Sequence, residues 1–346
     1  ANFEETTELA SRIKCLMGPG DDDFKKYATA FATSIFEGMT MAGEKPTLNN
    51  LYKYVQSGSL PSLVCKIVQQ LASQKEDYES NLRIALCTED FPEGISGVNV
   101  LKGSMSVSRN KQQAVVMLSD FQKAQYWVAY LRHFLMQDDS RAVRNAASVV
   151  SYFEHDQEHL GKMLSCLTAG LTDLTAGEIG TIVNPKSHAP DENFLNLKDL
   201  THGRRGVYIG LNTLQYQVAG RSLGAILLSD LAQVAADRYT RDMEPLNIFV
   251  DEWAEIANDP LIALLNKGRG AKFQIYCASQ TIADFTTRLE SKDKTESALG
   301  NFNNMICLRL RSAESMKYFS DNCMKTKINY VMHTQSTSIS ADNPMT

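Results

Sequence analysis

Residues 246–256 read LNIFVDEWAEI, an apolar run that stops on two adjacent carboxylates, Asp251 and Glu252. The run has the composition of a buried strand. An acid at the carboxyl end of a buried parallel strand points into the crevice where phosphates bind, so Asp251 is placed to hold the hydration shell of a Mg²⁺ ion. Successive strand residues face opposite ways, and Glu252 can therefore reach an attacking water as a general base. The same two acids would also suit the opening turn of a following helix, where the macrodipole favours negative charge.

The sequence around this stretch alternates between strand and helix patterns. VYIGL at 207–211 predicts a short buried strand, and Leu223, Ile226, Leu227, Leu231 and Val234 then trace one helix face before the strand over 248–250. A helix over about 259–267 leads to FQIYCA at 273–278, and another helical stretch leads to MICLRL at 305–310. Apolar strands separated by helices predict a mainly parallel sheet with helices on both faces.

Upstream the period is helical. From Asp21 to about Thr181, Phe24, Tyr27, Ala28, Phe31 and Ile35 share a face, Thr47 caps a helix carrying Leu48, Leu51, Tyr52 and Val55, and Pro61 fits a first turn. Val64, Ile67, Val68 and Leu71 repeat at helical spacing, and long helical patterns follow over roughly 105–136 and 141–170, interrupted upstream by the loop TEDFPEGISGVN at 88–99. NPKSHAPDEN at 184–193 is the turn-rich stretch where the character changes. The expected organisation is a linking segment over 1–20, an all-α domain over 21–190, and the α/β part over 191–346.

A chain of 346 residues with 43% apolar content can bury a large core, and its net charge of −5 argues against a protein that coats nucleic acid. Cys15, Cys65, Cys87, Cys166, Cys277, Cys307 and Cys323 are an odd number without paired spacing, and read as reduced, buried thiols of a cytosolic protein. No apolar run reaches bilayer length and no signal peptide opens the chain, so these residues are expected to be soluble.

Two further features belong at the strand ends. Gln280 directly follows the strand 273–278, from where its amide can meet a water or a γ-phosphate; it would equally cap a helix. Asn266-Lys267-Gly268-Arg269-Gly270 precedes that strand, and the flanking glycines let the Arg269 guanidinium project from a tight turn into a neighbouring subunit's phosphate site. Lys267-Gly268 is also an ordinary helix stop.

PLNIFVDEWAEI, NKGRGAKFQIYCASQTIADF and NFNNMICLRLRSAES together resemble the second half of the motor domain of TraG/TraD-type coupling proteins of conjugation and type IV secretion, RecA-like DNA translocases. The likeness is close over about 195–325 and looser over the run just before it. It implies a RecA-like P-loop motor half with an inserted all-α domain, a hexamer, and a location at the cytoplasmic face of the bacterial inner membrane. It also implies ATP and Mg²⁺ as cofactors, with DNA, relaxase and relaxosome proteins and the type IV secretion channel as partners. By position, Asp251 and Glu252 would be the Walker B pair, Gln280 the phosphate or water sensor, and Arg269 a trans-acting arginine finger.

The sequence departs from that family at one point: it holds no GxxxxGK followed by Ser or Thr. Gly18-Pro19-Gly20 runs into three aspartates, and Gly161-Lys162 is followed by Met163. No nest of amides for a β-phosphate is encoded here, which is the expectation for a fragment lacking both the Walker A loop and the N-terminal membrane anchor, and inactive by itself. The alternative is a non-catalytic adaptor whose all-α domain binds protein cargo.

Other motifs weigh less. His155-Asp156-Gln157-Glu158-His159 matches the HxxEH metal pattern, but its acidic setting reads as a solvated helix face. Phe121, Tyr126, Trp127, Tyr130 and Phe134, interleaved with Lys123 and Arg132, have the composition of a single-strand stacking surface, while an aromatic helix within an α-domain is ordinarily core. The charges at 109–111 and 141–144 read as solvated faces.

Overall fold

The computed structural model describes residues 9–10, 12–17, 23–56, 58–109, 112–183, 197, 206–240 and 243–323. The Gly18-Pro19-Gly20 segment and the turn-rich stretch 184–193 lie outside those residues.

Helices dominate. The chain runs through α1 (Asp23–Met41), α2 (Leu48–Val55), α3 (Leu60–Ser73) and the single turn α4 (Tyr78–Asn81). A two-residue antiparallel pair, β1 (Ala85–Leu86) with β2 (Ile95–Ser96), precedes α5 (Gly97–Lys102) and the hairpin β3 (Ser104–Arg109) to β4 (Gln112–Met117). After α6 (Asp120–Tyr130) the helix widens into a π turn, Leu131–Leu135, followed by α7 (Arg141–Glu154), α8 (Gln157–Met163), α9 (Ser165–Thr175) and α10 (Gly177–Val183).

The local causes are those expected. The Thr47 hydroxyl accepts from Asn50 N at 3.2 Å to start α2, Pro61 sits in the first turn of α3, and Ser119 with Gln122 closes a capping box on α6. One core joins these helices: α3 packs against α1, α6 and α7, and Phe31, Ile35, Leu63, Ile67, Tyr126 and Trp127 are all buried in it. Phe24 departs from its predicted face and is 52% exposed.

The second part begins with α11 (Gln217–Arg238), continues through β5 (Leu246–Val250), α12 (Asp259–Lys267), β6 (Phe273–Cys277) and α13 (Ile282–Leu289), and ends with α14 (Lys292–Gly300) and α15 (Ala313–Asn322). The strands pair in parallel, with the register running from Leu246 opposite Phe273 to Val250 opposite Cys277. Their inward side chains, Leu246, Ile248 and Ile275 among them, pack on Val234, Ala235 and Leu264 of α11 and α12. Arg12 ties α11 to the helical part through Asp230 at 2.5 Å and Gln233 at 2.6 Å.

Four expectations are corrected. The helical reading of 105–136 fails over its first part, because SMSVSR alternates with a period of two and pairs with QQAVVM as a hairpin; the domain read as all-α carries two small antiparallel sheets. The pattern over 141–170 is three helices, broken where His155 ends α7 with extended backbone and Asp156 caps α8. VYIGL at 207–211 and MICLRL at 305–310 form no ladder, and Tyr208, Ile306 and Leu308 are exposed. A short apolar run shows strand propensity but not a neighbour, and a ladder needs one. Lastly, the described sheet is covered on one face only: Phe249 and Tyr276 stack in the open with centroids 4.7 Å apart. Among the described residues no helix is long and apolar enough to cross a membrane.

Phe31 is fully buried and meets Tyr152 edge-on at 5.0 Å. Phe31→Ala is expected to cost about 3–5 kcal/mol, against about 0.5 kcal/mol or less for Phe24→Ala, read as urea midpoints. Glu44 accepts from Tyr54 Oη at 2.7 Å and pairs with Lys66 at 2.5 Å. Burial pushes its carboxyl up, but the bonds from Lys66 and Tyr54 outweigh this and hold it below the usual carboxylate range. That contribution is fully present above the unfolded pKa and is lost as pH falls through the lowered folded value. Lys66→Ala should flatten the acid limb of the stability curve.

Candidate functional site

Past the last ladder pair, the backbone pairing of β5 and β6 continues for two more bonds. Ala278 N donates to Val250 O at 2.9 Å, and Trp253 N donates to Ala278 O at 3.1 Å. Trp253 is 3% exposed, its ring 3.8 Å from that of Phe285 and 5.4 Å from that of Phe302, so the chain turns sharply inward there. Asp251 and Glu252 stay outside, both exposed. Glu252 adopts a left-handed backbone with φ of 46°, a conformation that costs an L residue about 1–2 kcal/mol. Asp251 Oδ1 accepts from Glu252 N at 3.0 Å, and Gln280 Nε2 donates to Glu252 Oε1, also at 3.0 Å.

This geometry separates the alternative readings. The acids do not open a long helix, because Trp253–Ile256 is a 3₁₀ turn and α12 starts later, capped by Asn258 Oδ1 accepting from Leu261 N at 2.9 Å. Nor does Gln280 cap α13, since Thr281 does so by accepting from Asp284 N. Asp251, Glu252 and Gln280 form one cluster open to solvent. Neither carboxylate has an ion-pair partner among the described residues, and two such acids suit a hydrated divalent cation.

Arg269 lies elsewhere. It is exposed on the 3₁₀ turn Gly268–Ala271, which leads into β6, and the helix-stop reading of Lys267-Gly268 holds as well. Lys272 O accepts from Leu246 N at 3.0 Å, so this turn sits at the start of the strands. Asp251 is five residues further along β5, about 16 Å at 3.3 Å per residue. The two charged features therefore occupy opposite ends of the sheet.

Residues not singled out from the sequence hold both ends. Arg221 Nε donates to Glu255 Oε2 at 2.6 Å, and Asn258 Nδ2 donates to Ala225 O at 3.1 Å. Arg238, 3% exposed, donates from Nε to Ala271 O at 2.9 Å and from Nη2 to Glu244 O, and Tyr239 Oη donates to Lys267 O. Read in sequence, Arg221, Arg238 and Tyr239 are amphipathic side chains on a helix. The one hint was Gly270, whose missing side chain leaves room for the Tyr239 ring.

His155, the residue that ends α7, stacks on His159 of α8 at 5.1 Å, and no group of three or more metal-binding side chains occurs among the described residues. Tyr126, Trp127 and Tyr130 are core, Lys123 pairs with Asp120, and Arg132 with Glu154. Arg141 and Arg144 pair with Glu37 and Asp139. The described cysteines are free, but Cys87, Cys307 and Cys323 are exposed rather than buried. A trough of about 1080 Å³ opens beside the π turn, lined by Leu86, Phe121, Gln125, His133 and Glu154; the buried Gln125 Oε1 in it lacks a hydrogen-bond partner among the described residues.

Two tests follow from the site. Since a left-handed residue penalises a Cβ, Glu252→Gly should be more stable than Glu252→Ala by about 1 kcal/mol in thermal unfolding. Burial pushes the Cys277 thiol up to about 12. Iodoacetamide should therefore label Cys87, Cys307 and Cys323 well before Cys277, with mass spectrometry giving the order.

No curated protein and no solved structure matches the chain. Residues 245–345, which include β5, the acid pair, Arg269, β6 and Gln280, match the family described as the TraM recognition site of TraD and TraG. Over those residues the chain is similar to TraG/TraD-type conjugative coupling proteins.

Proposed function

We propose that this chain supplies half of an ATP-hydrolysing site in a RecA-like, DNA-translocating motor, and that hydrolysis occurs between neighbouring copies in a ring. The observation that carries this reading is the separation just described: the acids with Gln280 sit at one end of the sheet and Arg269 is presented at the other. An arginine about 16 Å away along the strands cannot serve its own acids, whereas a neighbour's can. The bare sheet face with Phe249 and Tyr276 also fits a motor whose second layer comes from the P-loop half. The ring is taken to be a hexamer.

In this reading Asp251 holds the water shell of Mg²⁺, Glu252 takes a proton from the attacking water, and Gln280 orients that water and Glu252 together. Mg²⁺, when bound, neutralises phosphate charge. In this reading the P-loop, which the 346 residues do not encode, is contributed by other polypeptide. The domain division at about 190 is retained, with the helical domain as the docking part for relaxase bound to DNA, and the secretion channel as the destination at the inner membrane. The matched TraM recognition region adds relaxosome proteins as partners of the second part.

The partly polar trough beside the π turn favours cargo binding by the helical part, and so keeps the adaptor as the second reading. Turnover by the intact, assembled protein decides between them. Arg269→Ala is expected to lower turnover on the order of 10³–10⁵-fold while nucleotide binding persists. Mixing Arg269→Ala with Glu252→Gln subunits should restore part of it, because each then lends the other its missing group. Retained turnover in Arg269→Ala would remove it as the finger. Turnover by the 346-residue chain alone, abolished by Glu252→Gln, would refute the split site.

A further inference from the structure

We infer that α11 is a strut coupling the acid cluster to the Arg269 turn, with Arg221 and Tyr239 as its positioning residues. This rests on the functional reading above for its consequence, but its structural basis is independent. The helix is 22 residues long, about 33 Å, and runs antiparallel to β5, so it spans the whole distance between the two sites. Both of its ends hold the segment that carries a candidate group, by side-chain contacts rather than by the sheet.

At the first end three contacts converge on the turn after Glu252. Arg221 binds Glu255, the Asn258 amide binds Ala225 O, and Gly224 lies so close under Ile256 that a Cβ there would collide with it. Glu255 N in turn donates to Glu252 O at 2.9 Å, which makes the Arg221 contact one short turn from the catalytic candidate. At the other end, Arg238 and Tyr239 bind carbonyls at both sides of Arg269, on Ala271 and Lys267, and the Tyr239 ring occupies the space above Gly270. A packed helix moves as a unit, by sliding or rotating, more readily than it bends. A shift of the acid turn on nucleotide turnover would therefore displace the turn that presents Arg269 to the next subunit. One subunit's state would thus set the arginine its neighbour receives.

Hydrogen exchange on this chain tests the strut directly. Tyr239→Ala is expected to speed exchange at 268–272 and also, remotely, at 252–256; Arg221→Ala is expected to act at 252–256 and remotely at 268–272. Tyr239→Phe, which keeps the ring over Gly270, should restore most of the protection, and Gly270→Ala, which expels the ring, should reproduce the remote effect without altering α11. Changes confined to the mutated end in all variants would overturn the proposal. In the intact protein Tyr239→Ala should lower kcat on the order of 10²-fold, the effect of an ångström's misplacement, with the KM for ATP little changed. When mixed with Glu252→Gln subunits it should behave as Arg269→Ala does. A normal kcat in Tyr239→Ala, where Arg269→Ala is inactive, would also overturn the proposal. Full turnover in Arg269→Ala together with remote exchange changes would uphold the strut and remove only the finger.

Discussion

The parallel pairing of β5 with β6, prolonged by the bonds from Ala278 N to Val250 O and Trp253 N to Ala278 O, is the constraint on which the second part of the molecule depends. Parallel register makes both strands end at the same level, so whatever follows them arrives side by side. That is why Glu252 and Gln280, 28 residues apart, share a hydrogen bond. Burial of Trp253 against Phe285 and Phe302 then forces the chain inward and leaves the two acids out, at the expense of a left-handed residue at Glu252. Strain retained at a charged, exposed position favours a functional explanation, because folding alone would be better served by glycine.

The helical part has a different logic. Its core is continuous from Ile13 to Leu174 and takes in Ala219 at the start of α11, so the strut is packed against helical bundle at one end and against the sheet further along. The ion pair of Arg12 with Asp230 adds a polar link near the middle of α11.

Much of the site was legible in the sequence because it is built from short-range pattern. An apolar run ending in Asp251-Glu252, a second run ending before Gln280, and a glycine on either side of Arg269 are all local. So were the Thr47 cap, the Pro61 start and the aromatic core of α6. What misled was also local: SMSVSR sits within a helical pattern, and VYIGL and MICLRL carry strand propensity without strand partners. Propensity is a property of a segment, whereas a ladder belongs to two.

The sequence by itself determined which residues carry charge at the strand ends and which faces of the upstream helices turn inward, since periodicity and side-chain chemistry are written residue by residue. Only the tertiary structure decided that Gln280 reaches Glu252, that the Arg269 turn lies at the opposite end of the sheet from the acids, and that Arg221 and Tyr239 hold the two ends of one helix. The three side-chain bonds join residues 28 or more positions apart, and their partners are selected by packing and by strand direction, neither of which leaves a local mark.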